Sequence, residues 1–170
     1  MIANVLIPLA ALYHLLATAV ALMSVFHFIR MLRGDEARHP LWRTLFSQAE
    51  AHLWLSGALL VGLGLYATGF YKYLNNPKLW TKVSLVTVWG LNSLWMKKAL
   101  ASAQPGQRHL MFGVSLGSLL YGSFLGVAKP LAYGVWPFAY FLLGYAAVVL
   151  LFALVVQRLL QPVRPAWTPA

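Results

Sequence analysis

The sequence contains no cysteine, which excludes disulfides, thiolate zinc sites, iron–sulfur clusters and thiol redox chemistry. Any metal or cofactor must therefore be held by histidine, methionine, tyrosine or carboxylate. Acidic residues are nearly absent too: Asp35, Glu36 and Glu50 are the only three in 170 residues. Charged residues of both signs make up 9% of the chain, against about 25% in a soluble domain that must cover its surface with polar groups. The apolar share is 61% and the mean hydropathy +0.70, so most of the surface is expected to face the lipid bilayer.

What charge there is has one sign, for a net +10. The thirteen Lys and Arg stand singly at the ends of apolar runs and form no contiguous basic face. That pattern sets membrane topology and argues against nucleic acid as a partner. Residues 1–12 lack a positive leader and run on into a longer apolar stretch, so a cleaved signal peptide is not expected.

Five apolar stretches each reach the roughly 20 residues that span a ~30 Å hydrocarbon core: 2–31, 49–71, 79–101, 110–128 and 135–160. The expected fold is an all-α integral membrane bundle of about five helices in one domain, 1–160, followed by a loosely ordered Pro-rich tail, 161–170. Asn75-Asn76-Pro77 and Gln104-Pro105-Gly106-Gln107 read as turns. The longest connection, 32–48, is expected to carry a short interfacial helix, because Leu41, Trp42 and Leu45 share a face.

Arg30, Arg33, Arg38, Arg43, Lys97, Lys98, Arg108, Arg158 and Arg164 fall on one side of the spans, and Lys72, Lys78, Lys82 and Lys129 on the other. The larger group marks the cytoplasm, which puts the N-terminus outside and the C-terminus inside. Tyr71, Tyr73, Trp80, Tyr133 and Trp136 fit interfacial belts. In the fourth span Ser115, Ser118, Gly122 and Gly126 line one face, where small residues let helix backbones approach. That face suits packing within the bundle, or contact with a second copy or a partner membrane subunit.

Ionisable groups at membrane depth cost roughly 2.5–3.5 kcal/mol each on insertion scales, so each requires a reason. His14 lies near the middle of the first span. It can bind a heme iron or metal, relay a proton, or serve as a structural hydrogen-bond donor. His27 and His52 are each about one turn from the cytoplasmic ends of adjacent spans, the arrangement for clamping a heme or metal between antiparallel helices. Interfacial histidines in contact with water are the alternative. Arg30 and Glu50 lie close to them in sequence, and His39 and His109 read as solvated. Lys82 sits inside the outer end of the third span, able either to snorkel outward or to turn inward toward a carboxylate-bearing ligand. Thr81, Ser84, Asn92 and Trp95 give that helix the most polar face of the five.

The segment from Phe70 to Val86, FYKYLNNPKLWTKVSLV, resembles the second-to-third helix junction of a family of small bacterial inner-membrane proteins. That family is similar in turn to the HemJ-type and CopD-type group of four-helix membrane proteins. In this group a first-helix histidine precedes an arginine, and a Trp-x-Lys element opens the third helix; His14, Arg30 and Trp80-Thr81-Lys82 match. The resemblance covers roughly residues 5–133, with the fifth span as an addition. HemJ-type proteins hold a b-type heme through the first-helix histidine and oxidise protoporphyrinogen. The resemblance thus implies His14 as a heme b ligand, with Arg30 and Lys82 contacting substrate or a propionate. Where HemJ-type chains carry a further histidine about eleven residues after the lysine, this chain has Asn92-Ser93. CopD-type relatives handle copper, and Met1, Met23, Met31, Met96 and Met111 form no Met-rich run. The functional expectation is a heme b inner-membrane protein engaged in redox or electron transfer, including HemJ-like porphyrinogen oxidation. The alternative is a non-catalytic accessory or assembly subunit, or a protein that handles a metal or small solute.

Overall fold

The protein was analysed as a computed structural model that describes residues 2–34, 40–128, 131 and 135–161. Asp35, Glu36, Arg38, His39, Lys129, Tyr133, Arg164 and nearly all of the tail lie outside the described residues. The described residues form helices and no strand: α1 (Ile2–Arg33), α2 (Pro40–Thr68), the short α3 (Phe70–Leu74), α4 (Pro77–Ala99), α5 (Pro105–Val127) and α6 (Phe138–Leu160). Four of them, α1, α2, α5 and α6, are long and apolar enough to cross a membrane. At 23 residues α4 matches α5 and α6 in length, but Lys78, Lys82, Lys97 and Lys98 lower its hydropathy.

The helix ends follow local chemistry. Pro40 opens α2, where its missing N–H and fixed φ cost nothing, so the expected interfacial helix is the first two turns of α2 itself. At the other end the chain leaves α2 at Gly69, whose φ of +84° is a backbone state few other residues adopt. The second span therefore ends at Thr68, short of Tyr71, which lies in the separate turn α3. Asn76 caps α4 by accepting the Lys78 amide at 3.1 Å, and Pro77 supplies the first helical position. Gln107 reaches back to the Gln104 amide at 2.9 Å to start α5.

Packing sorts these helices into two antiparallel hairpins, α1–α2 and α5–α6, with α4 against α5 and α6 and with α1 closing onto α5 and α6. Helix α5 is central: Met111, Phe112, Leu116 and Leu125 are fully buried. Small residues bring α6 onto it. A Cβ on Gly113 would stand 2.7 Å from the Ala153 backbone, and one on Gly117 would stand 3.0 Å from the Val149 Cα. On the expected Ser/Gly face, Ser115 bonds Asn92 of α4 at 3.0 Å and Ser118 bonds the Tyr145 hydroxyl of α6 at 2.7 Å. A Cβ on Gly122 would meet the end of Leu85 at 3.4 Å, and Gly126 faces open space. Most of that face is thus taken up inside the chain. Outward-facing residues are large and apolar, Leu143, Leu150 and Leu154 of α6 among them, as a lipid-facing surface requires.

Candidate functional site

The site starts from His14 on α1. Its Nδ1 lies 2.8 Å from Ser56 Oγ on α2, and its ring lies over Gly57, where a Cβ would meet Cε1 at 3.9 Å. The hydroxyl proton of Ser56 is already directed to the carbonyls of His52 at 2.6 Å and Leu53 at 3.2 Å. Ser56 Oγ therefore acts as acceptor toward the ring, so the proton of a neutral His14 resides on Nδ1. Its Nε2 keeps a lone pair, the form in which imidazole binds a metal or accepts a proton. Thr18 Oγ1 donates to the His14 carbonyl at 2.8 Å, a bond internal to α1.

The remaining candidates distribute unevenly around this ring. Lys82 of α4 lies near enough for its charge to act on His14, and among the described residues no ion pair or hydrogen bond involves its ammonium. The carboxylate of Glu50, the one acidic side chain among the described residues, is paired with Lys97 at 2.5 Å. Arg30 is sixteen residues from His14 along α1, about 24 Å at 1.5 Å per residue, and is exposed. It belongs to the opposite end of the bundle.

His27 and His52 are not brought together. The His27 ring stacks on Trp42 with centroids 4.5 Å apart, whereas His52 is hydrogen-bonded through Nδ1 to the Tyr13 hydroxyl. Because α2 begins at Pro40, residue 27 of α1 meets residue 42 of α2, and residue 14 meets residue 56. The two histidines are therefore about three turns, roughly 15 Å, out of register. What the fold does link is the His14 ring and the backbone carbonyl of His52, both bound by the Ser56 hydroxyl. His109 lies in the second turn of α5, half-buried.

A cleft of about 290 Å³ opens between α2 and α4, lined by Glu50, Trp54, Thr87, Gly90, Leu91 and Leu94. The backbones of these two helices stay apart. Contact is made by side chains, with the Trp54 ring lying over Gly90, where a Cβ would come 2.8 Å from the indole. On α4 the buried face runs through Thr81, Leu85, Trp89, Asn92, Ser93 and Met96. It is rotated away from the expected Thr81–Ser84–Asn92–Trp95 stripe, and Trp95 is 39% exposed. Asn92 Nδ2 donates to the Met111 carbonyl at 2.9 Å and to Ser115 Oγ, which fixes α4 on α5. Trp89 Nε1 and Ser93 Oγ are buried and make no hydrogen bond.

Sequence reasoning missed Ser56, Trp89 and Ser93. The signal available for Ser56 was its place one turn after His52, and for the other two their spacing of four inside an apolar run. Among the described residues, no group of three or more metal-ligating side chains occurs. The donor set around His14 is therefore one imidazole with a fixed tautomer and one lysine with no carboxylate partner among the described residues. That set fits a group that brings its own ligands and carries acidic substituents, such as a porphyrin. Comparison with protein-family models, curated proteins and solved structures found no match to this chain.

Proposed function

We propose that this chain is a bacterial inner-membrane protein that binds one heme b through His14 and serves redox or electron-transfer chemistry. The observation that carries the reading is the His14–Ser56 pair. Ligating histidines almost always donate their other ring N–H to a fixed acceptor, which sets ring orientation and raises ligand basicity. Here an acceptor is built in at the middle of a membrane span, where an imidazole has no water to satisfy it. Lys82 supplies the counter-charge for a propionate. A bound heme would contribute one-electron chemistry, while the chain would hold the iron, fix the imidazole and exclude water. Porphyrinogen oxidation of the HemJ type is the finer form of the proposal.

The same reading takes α4 as a fifth span, with its lysines at the two interfaces and Lys82 turned inward. The positive-inside distribution then puts the N-terminus outside and the C-terminus in the cytoplasm. Tags at the two termini should be accessible from opposite sides of the membrane; accessibility from one side would remove the fifth span.

Purified protein expressed with heme supplied should show a Soret band and a b-type pyridine hemochrome at one heme per chain. His14→Ala should abolish both, whereas His27→Ala should leave them unchanged. A His14→Ala protein with full heme content would overturn the proposal. The competing reading, a non-catalytic accessory subunit whose histidines serve packing, is favoured by His27 on Trp42 and His52 on Tyr13. A colourless, metal-free preparation would decide for it.

A further inference from the structure

The cleft between α2 and α4 combines apolar walls with polar groups whose hydrogen-bonding capacity is only partly used. Its lining comes from one face of each helix. Glu50 and Trp54 are four residues apart on α2, and Thr87, Gly90, Leu91 and Leu94 follow the i, i+3, i+4, i+7 pattern on α4. The volume of about 290 Å³ is close to the lower end of small-molecule sites, roughly 300 Å³. Gly90 lets the Trp54 ring settle between the helices, since a Cβ there would come 2.8 Å from the indole.

Glu50 Oε2 accepts from Lys97 at 2.5 Å, whereas Oε1 makes no hydrogen bond among the described residues. The Trp54 indole N–H, which can only donate, makes none among them either. Thr87 gives its hydroxyl proton to the Val83 carbonyl at 2.9 Å. The lining therefore offers one carboxylate oxygen as acceptor and one indole as donor. Lys97 already neutralises Glu50, so a charged ligand would leave a charge without a partner, and a neutral one would not. The rim is apolar: Leu91 and Leu94 are 63% and 53% exposed, on a helix beside α2, which is long and apolar enough to cross a membrane. A ligand entering past them must dissolve in hydrocarbon.

We infer that this cleft binds a neutral, lipid-soluble hydroxyaromatic molecule of the phenol or hydroquinone class. Its ring lies against Trp54, and its hydroxyl donates to Glu50 Oε1 and accepts from the Trp54 N–H. Glu50 and Trp54 stand one turn apart on the same face, so one hydroxyl group can serve both. A plain acyl chain would fill the walls and leave both polar groups unpaired. The site uses no heme and stands or falls separately from the reading of His14.

The probe is a hydroquinone carrying a decyl chain, kept reduced without oxygen, and the control is its dimethyl ether, which keeps the ring and chain but cannot donate. Retention of each by the full chain in phosphatidylcholine nanodiscs is measured against empty nanodiscs. Wild type should hold the hydroquinone about tenfold more tightly than the ether, the scale of one hydrogen bond to a charged group. Glu50→Gln, which exchanges a charged acceptor for a neutral one, should remove most of that preference. Trp54→Phe keeps a ring and loses the N–H, and should weaken hydroquinone binding by about fivefold; it reports in place of Glu50→Gln if that variant folds poorly. Leu150→Ala, on the exposed face of α6, and His14→Ala should both bind like wild type. Equal retention of hydroquinone and ether by wild type would overturn the inference and leave the cleft to acyl chains. A preference that persists unchanged in both Glu50→Gln and Trp54→Phe would overturn it as well, because the hydroquinone would then be held elsewhere.

Discussion

The α5–α6 and α2–α4 contacts both join antiparallel helices, and they differ in what occupies the gap. Between α5 and α6 the gap is closed by absence of side chain: Gly113 and Gly117 admit the Ala153 and Val149 backbones, and Ser118 and Tyr145 complete the contact with a 2.7 Å hydrogen bond. Between α2 and α4 a single glycine, Gly90, admits only the Trp54 ring. The helices are tied at one end by Glu50 and Lys97 and stand apart beyond it. Without a hydrophobic driving force between helices in lipid, close packing and interhelical hydrogen bonds are what hold a bundle together. One side of the molecule spends its small residues on that purpose. The other side leaves a cleft lined by Glu50, Trp54, Thr87, Gly90, Leu91 and Leu94.

The largest way to break this contrast is to fill the closed contact. Gly113→Leu puts a branched side chain where even a Cβ stands 2.7 Å from backbone, and overpacking of this kind typically costs 1–3 kcal/mol or more. Its melting temperature in detergent should fall further than that of any other substitution named here. Gly122→Leu, which meets only the flexible end of Leu85, should cost less, and Gly126→Leu should be neutral. Equal melting temperatures for the three variants would show that α5 and α6 do not meet as described.

Next in size is the ion pair that ties α2 to α4. The Glu50 side chain is 11% exposed and that of Lys97 is 40% exposed. The cost of breaking the pair therefore depends on which partner remains. Lys97→Met strands a buried carboxylate, whereas Glu50→Gln leaves a lysine that can extend to water. Lys97→Met should destabilise by about 1–2 kcal/mol and Glu50→Gln by less than about 1 kcal/mol, read as thermal unfolding of the purified protein. The reverse order would place Glu50 in a solvated environment.

The smallest effect on stability, and the sharpest on the open side, is expected from Ser56→Ala. The protein should fold, while heme retention weakens by about 10–100-fold, the usual scale for losing the partner of a ligating histidine. Ser56→Thr should recover most of it. Unchanged retention in Ser56→Ala would show that His14 does not depend on α2 for its tautomer.

Hydropathy alone locates the apolar helices, because a backbone in lipid must satisfy its own hydrogen bonds and helices are the simplest way to do so. It also singles out His14, since an imidazole in the middle of a span carries a cost that composition makes visible. Which residues surround His14 was not legible. His27 and His52 look equivalent by distance from the span ends, and that estimate fails because Pro40 starts α2 nine residues before hydropathy does. On α5 both the Ser115–Gly122 face and the Gly113–Gly117 face are rich in small residues, and sequence periodicity does not tell which meets α6 and which meets α4.

The sequence by itself determined the all-helical class, the apolar spans, the capped starts of α4 and α5 at Asn76-Pro77 and Gln104-Pro105, and the histidine and lysine that stand out against their apolar surroundings. These depend on local energies that each segment carries alone. Tertiary structure decided the register of α1 on α2, the pairing of His14 with Ser56 instead of His27 with His52, and the rotation of α4 that buries Trp89 and Ser93. Those choices depend on how helices of nearly uniform hydrophobicity turn about their own axes. In such helices the energy that selects one rotation over another comes from a few small and polar residues meeting across the gap, and it exists only once the neighbours are in place.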